Sequence, residues 1–231
     1  MALQINGEIP KNIIYNNQEV KKVIYNSQIV WPKSRLPSEY QEVEWIESTG
    51  QQYIDTGYVF TRDNGFFIDF VPENDVTTTN APNYINAGGA GGTSNKRVGI
   101  NCYKRTDDGE LQFFSWYTNP KITKNQRASL SVINRIIYFP DGSTRQMNIT
   151  ETNPTVSSMI IFAAYNQALT QIHRFSKMKL YNLKIYDSIN VVRNYIPCYR
   201  KSDGEIGLYE LVEGSFLSNQ GTGTFVKGLD I

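Results

Sequence analysis

The sequence predicts an all-β protein, in which a short arm of β-hairpin repeats precedes one two-sheet antiparallel sandwich. A ten-residue repeat occupies the first thirty residues. From Leu36 onward, apolar residues alternate or form short β-branched and aromatic blocks between Gly, Asn, Asp and Pro, without helical periodicity. The chain contains 15 Tyr and 11 Phe, residue types that favour strands. A length of 231 residues suits one large β-sandwich after the arm.

The repeat units of the arm each predict a strand, a tight turn and a second strand. Residues 14–20 align with residues 24–30, and a degenerate copy spans residues 5–9. Each copy has an Asn followed by Gly, Asn or Ser, residue types that tolerate two-residue hairpin turns. Because isolated hairpins are marginal in water, we expect the arm to pack on another chain or on the main domain. The candidate attachment and assembly residues are Ile14, Tyr15, Ile24, Tyr25 and Trp31.

The boundary between arm and sandwich is predicted near Leu36. Trp31 and Pro32 end the arm, and a linker with a second proline, Pro37, follows. We therefore assign residues 1–35 to the arm and linker, and residues 36–231 to the sandwich domain.

The sandwich domain is predicted to contain ten or more strands, enough for two packed sheets. A hairpin turn is expected at Asp141 and Gly142, because Asp-Gly stands between two strand patterns. The predicted strands are residues 65–71, 96–103, 110–118, 127–133, 135–139, 144–149, 158–164, 177–187, 191–199 and 206–211.

Charge and cysteine content exclude several classes of function. Lys plus Arg (23) nearly balance Asp plus Glu (22), so we expect no charge-driven binding to nucleic acid or to anionic membranes. No stretch approaches the ~20 apolar residues of a membrane span, and residues 1–10 lack a signal-peptide pattern. Cys102 and Cys198 are expected to be buried, reduced thiols, with a disulfide between them as the alternative.

Both ends of the sandwich domain carry recognisable motifs. The opening motif, residues 36–57, reads LPSEYQEVEWIESTGQQYIDTG. The closing motifs read KIYD at 184–187, IPCYRKSDGEIGLYE at 196–210 and GTGTF at 221–225. Together they resemble the beginning and end of LamG-like domains of gut-phage and gut-bacterial surface proteins. The resemblance covers about residues 36–228.

The resemblance implies a concanavalin A-like jelly roll in which the first and last strands pair, so that the opening and closing motifs are neighbours. It implies no particular ligand. Residues 22–32 (KVIYNSQIVWP) also resemble repeats at the starts of phage tail, baseplate and fibre proteins. This second resemblance implies a virion protein made in the host cytoplasm, whose arm contacts other virion proteins.

The strongest catalytic candidate is the segment EVEWIE that begins at Glu42, because retaining glycosidases of the jelly-roll fold carry a similar acidic triplet. Such enzymes need two carboxylates on one face, about 5 to 5.5 Å apart. On a regular strand Glu42 and Glu44 share a face, and Glu47 points to the other unless a bulge intervenes. We therefore favour an amphipathic strand with Val43 and Trp45 inward and the glutamates in water.

Other motifs of chemical interest have simpler interpretations. His173 is the only histidine, so a catalytic triad or a metal site with two histidines is not expected, and its polar neighbours predict a loop. Residues 88–92 (GGAGG) lack the Gly-Lys-Ser/Thr ending of a phosphate-binding loop and predict a flexible loop. Residues 107–109 and 203–204 are tight-turn signals. We expect no cofactor, with calcium at these turns as the alternative.

The segment at residues 111–119 (LQFFSWYTN) is the richest in aromatic residues that could bind a ligand. Sugar rings stack their apolar faces on Trp and Tyr, but core packing is the default role of such residues. The candidate ligand-binding residues are Trp116, Tyr117, Tyr103 and Arg97.

These observations predict a non-enzymatic virion protein, such as a fibre or tail component, whose jelly roll serves adhesion or carbohydrate binding. Its partners would be host surface glycans and other copies of the chain, as a trimer if the protein is a fibre. The alternatives are a stand-alone carbohydrate-binding module and a jelly-roll glycoside hydrolase.

Overall fold

A computed structural model describes the chain at residues 13–15, 18–20, 23–25, 28–31, 35–60, 64–74, 83–87, 98–102, 111–113, 117–118, 124–146, 158–166 and 170–231. This part of the chain is all-β and contains no helix. It therefore has no helix that could cross a membrane. The chain divides into two compact units, Met1–Pro37 and Ser38–Ile231.

The N-terminal unit contains two short antiparallel hairpins among its described residues. Strand β1 (Ile14–Tyr15) pairs with β2 (Gln18–Glu19), and β3 (Val23–Tyr25) pairs with β4 (Gln28–Trp31). Tyr15 is opposite Gln18 and Tyr25 is opposite Gln28, so equivalent positions of the two repeat copies have equivalent partners. The predicted paired strands are confirmed for these two copies, whereas their turn residues and the copy at residues 5–9 lie outside the described residues.

The larger unit is a two-sheet antiparallel sandwich of the jelly-roll class, which confirms the predicted fold class. Its larger sheet has the central order β15-β14-β13-β8-β19-β20-β21-β22, with β5 paired to β20, and β6 paired to both β19 and β23. These strands are β5 (Tyr40–Glu42), β6 (Ile46–Thr49), β8 (Asn64–Pro72), β13 (Ala128–Ile133), β14 (Ile136–Tyr138), β15 (Thr144–Gln146), β19 (Lys177–Asp187), β20 (Asn190–Arg200), β21 (Ile206–Glu210), β22 (Ser215–Ser218) and β23 (Val226–Lys227).

The smaller sheet has the order β12-β11-β10-β9-β16-β7. A separate hairpin of β17 and β18 follows β16 along the chain and contacts β9. These strands are β7 (Ile54–Val59), β9 (Asn83–Ala87), β10 (Val98–Cys102), β11 (Leu111–Phe113), β12 (Tyr117–Thr118), β16 (Ser158–Ile161), β17 (Ala164–Asn166) and β18 (Gln171–His173).

The core lies between the facing surfaces of the two sheets. A register shift in β19 between Leu180 and Asn182 keeps Leu183 and Ile185 buried on the same side as Leu180. The rings of Phe70 and Tyr84 connect the two sheets, with centroids 5.6 Å apart. The alternation of apolar residues seen in the sequence thus becomes one continuous core. Its central members are Phe66, Ile68, Phe70, Tyr84, Ile85, Met159, Ile161, Met178, Leu180, Leu183 and Ile185.

The two ends of the domain are neighbours, as the resemblance implied. Strand β6 pairs with β23, and Val43 forms an isolated bridge with Asp230. Gly221 lies directly against the opening motif, because a Cβ atom there would be 2.1 Å from the carbonyl oxygen of Gln51. Glycine is therefore required for this close approach.

Several predicted strands are confirmed and others differ in extent. Lys177–Asp187 has the predicted bounds, and Asp141 and Gly142 lie in the predicted hairpin turn, with a φ of 82° at Gly142. The predicted strand at 158–164 is wrong in its extent, because Phe162 adopts a φ of 70° and the chain leaves β16 there. Strands β7, β9, β17, β18, β22 and β23 were not predicted.

Candidate functional site

The predicted ligand-binding residues mostly lie outside the described part of the chain. Trp116, Tyr103 and Arg97 are outside it, and Tyr117 lies in β12 with its side chain outside the described residues. The same holds for the sequence motifs at residues 88–92 and 107–109. Their assignment as a binding surface stays a prediction.

Three of the predicted arm residues have described side chains, and each of them is exposed. Ile14 is 71% exposed, Tyr15 is 72% exposed and Tyr25 is 59% exposed. Ile24 and Trp31 lie in β3 and β4, with side chains outside the described residues. Exposed large apolar side chains can contact another chain, but the role of these residues in attachment stays a prediction.

The acidic segment at the opening does not form the amphipathic strand that was predicted. The strand is interrupted between β5 and β6, because the chain changes hydrogen-bonding partner: Val43 N–H donates to Pro197 O, and Glu44 N–H donates to Leu229 O. As a result Val43 and Ile46 point into the core. Trp45 is only half-buried, so its predicted inward position is wrong.

The three glutamates of this segment also occupy different environments. Glu42 is buried opposite Cys198, so the prediction that it points into water is wrong, whereas Glu44 is exposed. Glu47 forms an ion pair with Lys179, which also binds Glu73 at 3.0 Å. Burial, followed by the neighbouring charge of Glu73, raises the pKa of Glu47. The segment therefore does not present its carboxylates together on one face of a strand.

Asp203 and Gly204 lie in a tight turn, as predicted. Gly204 has a φ of 74°, and the Asp203 carboxylate accepts hydrogen bonds from the Arg200 guanidinium and from Glu205 N–H. These contacts hold the pKa of Asp203 below its usual range, chiefly through Arg200. In the described part of the chain, no group of three or more His, Cys, Asp or Glu side chains could hold a metal ion. The absence of a cofactor stays a prediction.

His173 and Cys198 are both placed by the structure. His173 lies in strand β18, so the prediction of a loop is wrong, and its Nε2 is buried without a hydrogen-bond partner among the described residues. Burial, followed by the charge of Arg174, lowers the pKa of His173. Cys198 is a free, buried thiol, as expected, and burial next to Glu42 raises its pKa to about 12.

A polar groove of about 440 Å³ lies on the outer face of the smaller sheet, between this sheet and the β17–β18 hairpin. The residues at the bottom of the groove are positioned by the pairing of β7 with β16. Ile54 and Ile161 are opposite each other on the core side, so the next pair, Asp55 and Ile160, lies on the outer side. The groove is lined by Tyr53, Asp55, Ser158, Ile160, Tyr165, Thr170, Gln171 and Ile172.

The Asp55 carboxylate is fixed in this groove by hydrogen bonds to one of its two oxygens. Its Oδ1 accepts the backbone N–H of Gly57 at 2.9 Å and the hydroxyl of Ser158. Gly57 adopts a φ of 68°, which favours glycine. Oδ2 accepts no hydrogen bond from the described residues, so this oxygen is available to accept hydrogen bonds from a ligand.

Two tyrosines accompany the carboxylate. The backbone of Tyr53 is held by Asn219 and Gln220, and its ring contacts the ring of Phe175, with centroids 6.1 Å apart. Tyr165 lies in β17 and is half-buried. Both rings line the groove next to Asp55. Amphipathic rings beside a fixed acceptor are typical of sites that bind a polar ligand with an apolar face.

The hairpin that walls the groove is bounded by strained backbone. Phe162, Thr170 and Arg174 have φ values of 70°, 51° and 53°, and they flank the two strands of the hairpin. Left-handed conformations are costly for residues other than glycine, above all for β-branched threonine. The same conformation occurs at residues that do not line the groove, such as Arg135 and Ser188, so here it marks the ends of the hairpin.

Sequence reasoning missed this groove. Asp55 and Gly57 lie in the opening motif, where an Asp two residues before a Gly is a turn signal that could have drawn attention to them. Nothing in the sequence brings residues 158–172 next to them.

Comparisons with known proteins identify a fold neighbour but no family. No family model matches the sequence, and no curated protein matches it. Among solved structures the chain is similar to a heptameric SAP-like pentraxin from Limulus polyphemus, with a TM-score of 0.43 and 11% sequence identity over 80% of this chain and 95% of that chain.

Proposed function

We propose that this chain is a non-catalytic binding protein whose jelly-roll domain recognises carbohydrate in the groove beside the β17–β18 hairpin. The observation that carries the proposal is the combination of the Tyr53 and Tyr165 rings with the fixed Asp55 carboxylate. Sugar rings have apolar C–H faces that stack on aromatic rings, and hydroxyl edges that donate to carboxylates and amides. The groove also offers the exposed Gln171 for such hydrogen bonds.

The non-catalytic part of the proposal is supported by the arrangement of the acidic residues. Glycoside hydrolysis commonly uses two carboxylates that flank the scissile bond. Asp55 is the only carboxylate among the described residues that line the groove. Glu42 is buried, and Glu47 is engaged by Lys179.

The biological setting that we propose is the surface of a bacteriophage particle, as part of a fibre, tail or other component. This part of the proposal is supported by the resemblance of the arm and of the end motifs to phage proteins. The arm would contact other virion proteins or further copies of the chain, and the exposed Ile14 and Tyr15 are the residues that would do so. Mass spectrometry of purified particles would separate a virion component from a stand-alone carbohydrate-binding module.

Binding is tested on a glycan array, followed by calorimetry with the best ligand. We expect Tyr53→Ala and Tyr165→Ala to weaken binding at least about fivefold each, since ring stacking is worth on the order of 1 kcal/mol or more. Tyr138→Ala is the matched control, because Tyr138 is an exposed tyrosine in β14 of the other sheet. Absence of binding to any glycan, or equal affinity in all three variants, would contradict the proposal.

A further inference from the structure

We infer that the groove selects neutral sugars and rejects acidic ones, with Asp55 as the residue that decides between them. This inference rests on the proposed carbohydrate-binding function and deepens it. It starts from the charge of the groove. Among its described lining residues Asp55 is the only Asp, Glu, Lys or Arg, so the site has one fixed negative charge and no lining cation to balance it.

The hydrogen bonds of Asp55 define what it can accept. Oδ1 already accepts two donors, the N–H of Gly57 and the hydroxyl of Ser158, and these bonds fix the orientation of the side chain. A carboxylate is an acceptor only, and Oδ2 can accept two further donors. Two adjacent hydroxyls of a neutral sugar supply such donors.

An acidic sugar supplies a second negative charge instead. A uronate, sialate or sulfate group in a groove of about 440 Å³ would lie close to the Asp55 carboxylate, where repulsion between like charges is only partly screened. A repulsion that weakens binding tenfold corresponds to about 1.4 kcal/mol, well within the range for two charges about 4 Å apart near a protein surface. We therefore expect at least about tenfold selectivity for the neutral sugar.

The experiment compares oligosaccharides in pairs that differ only by oxidation at C6, such as β-1,4-glucan fragments against β-1,4-glucuronan fragments, across several backbone sugars on one array. For the full-length protein we expect binding to neutral members and at least about tenfold weaker binding to the uronate members. Raising the salt concentration should narrow the difference, because salt screens the repulsion.

Asp55→Asn is the decisive variant. Asparagine retains an oxygen that can accept from Gly57 and Ser158, so the local structure should persist, but it removes the charge. We expect the ratio between neutral and acidic ligands to fall to within about threefold of unity. Asp203→Asn is the control, because it removes one negative charge from an exposed turn outside the groove and should leave the ratio unchanged.

The possible failures are distinct. A protein that binds glycans but prefers the uronate member, or an unchanged ratio in Asp55→Asn, overturns the selectivity and leaves the carbohydrate-binding function standing. A protein that binds no glycan at all overturns both.

Discussion

Gln52 is one of the residues that connect the opening motif to the closing motifs, and its replacement by leucine should destabilise the domain by about 1–3 kcal/mol. The side chain is 2% exposed. Its Oε1 accepts the N–H of Thr49 at 2.9 Å, and its Nε2 donates to the carbonyl oxygen of Thr224 at 3.1 Å. The second of these bonds connects residues that are 172 positions apart.

The magnitude follows from what leucine leaves behind. Leucine is close to glutamine in size, so no large cavity forms, but the N–H of Thr49 and the carbonyl of Thr224 lose their partner. A fully buried polar group left unpaired costs about 1–3 kcal/mol, and because both bonds are only partly buried we take about 1.5–2 kcal/mol for each group. The additional apolar burial offsets about 1–2 kcal/mol of the total, which leaves about 1–3 kcal/mol. Ser48 contributes little, because its hydroxyl can still donate to the backbone oxygen of Gln52.

The measurement is urea denaturation monitored by tryptophan fluorescence. The urea concentration at the midpoint is compared between variants, provided that the dependence of the unfolding free energy on urea concentration is unchanged. Gln51→Leu is the matched control, since Gln51 is the exposed neighbour and its side chain makes only one exposed hydrogen bond, from the Thr222 hydroxyl. A loss below about 1 kcal/mol, or a loss equal to that of Gln51→Leu, would refute the assignment of Gln52 as a stabilising connection between the two ends.

Three further predictions concern the arm and pH. Removal of residues 1–35 should leave a folded β domain with a cooperative melt by circular dichroism, because the paired arm strands hydrogen-bond to one another; an unfolded truncation would show that the arm supplies core strands. Light scattering should show an oligomer for the full-length chain and a monomer for the truncation, since association covers Ile14 and Tyr15; monomers in both cases would exclude self-assembly through the arm. His173 has a lowered pKa in the folded state, so its neutral imidazole contributes fully to stability above about pH 6.5. This contribution should fall as the pH drops towards the folded-state pKa of His173. His173→Gln should lose less stability than the parent in this window. The comparison with His173→Gln is needed because the raised pKa of Glu47 changes the stability in the opposite direction as the pH falls. Parallel pH profiles of stability in the two proteins would argue against the buried state of the His173 imidazole.

Local patterns predicted local structure well in this chain. The strand Lys177–Asp187 and the turn at Asp141 and Gly142 could be predicted because alternating burial and turn preferences act within a few neighbouring residues. The pairing of opening and closing motifs was implied by a resemblance, and not by any local pattern. Glu42 was placed wrongly because its burial depends on β20 and the C-terminal residues, which lie far away along the chain.

The sequence by itself determined the all-β class, the two repeat hairpins and the balanced charge, since strand periodicity, turn residues and net charge are properties of short segments or of composition. The position and the lining residues of the groove, in contrast, are determined only by the tertiary structure. Asp55 and Ser158 are 103 residues apart and meet because β7 pairs with β16. The register of that pairing sets Asp55 on the outer face, and the turn of the chain at Phe162 allows the following hairpin to form the wall of the groove. Long-range strand pairing depends on the packing of the whole core, so no segment of the sequence contains it.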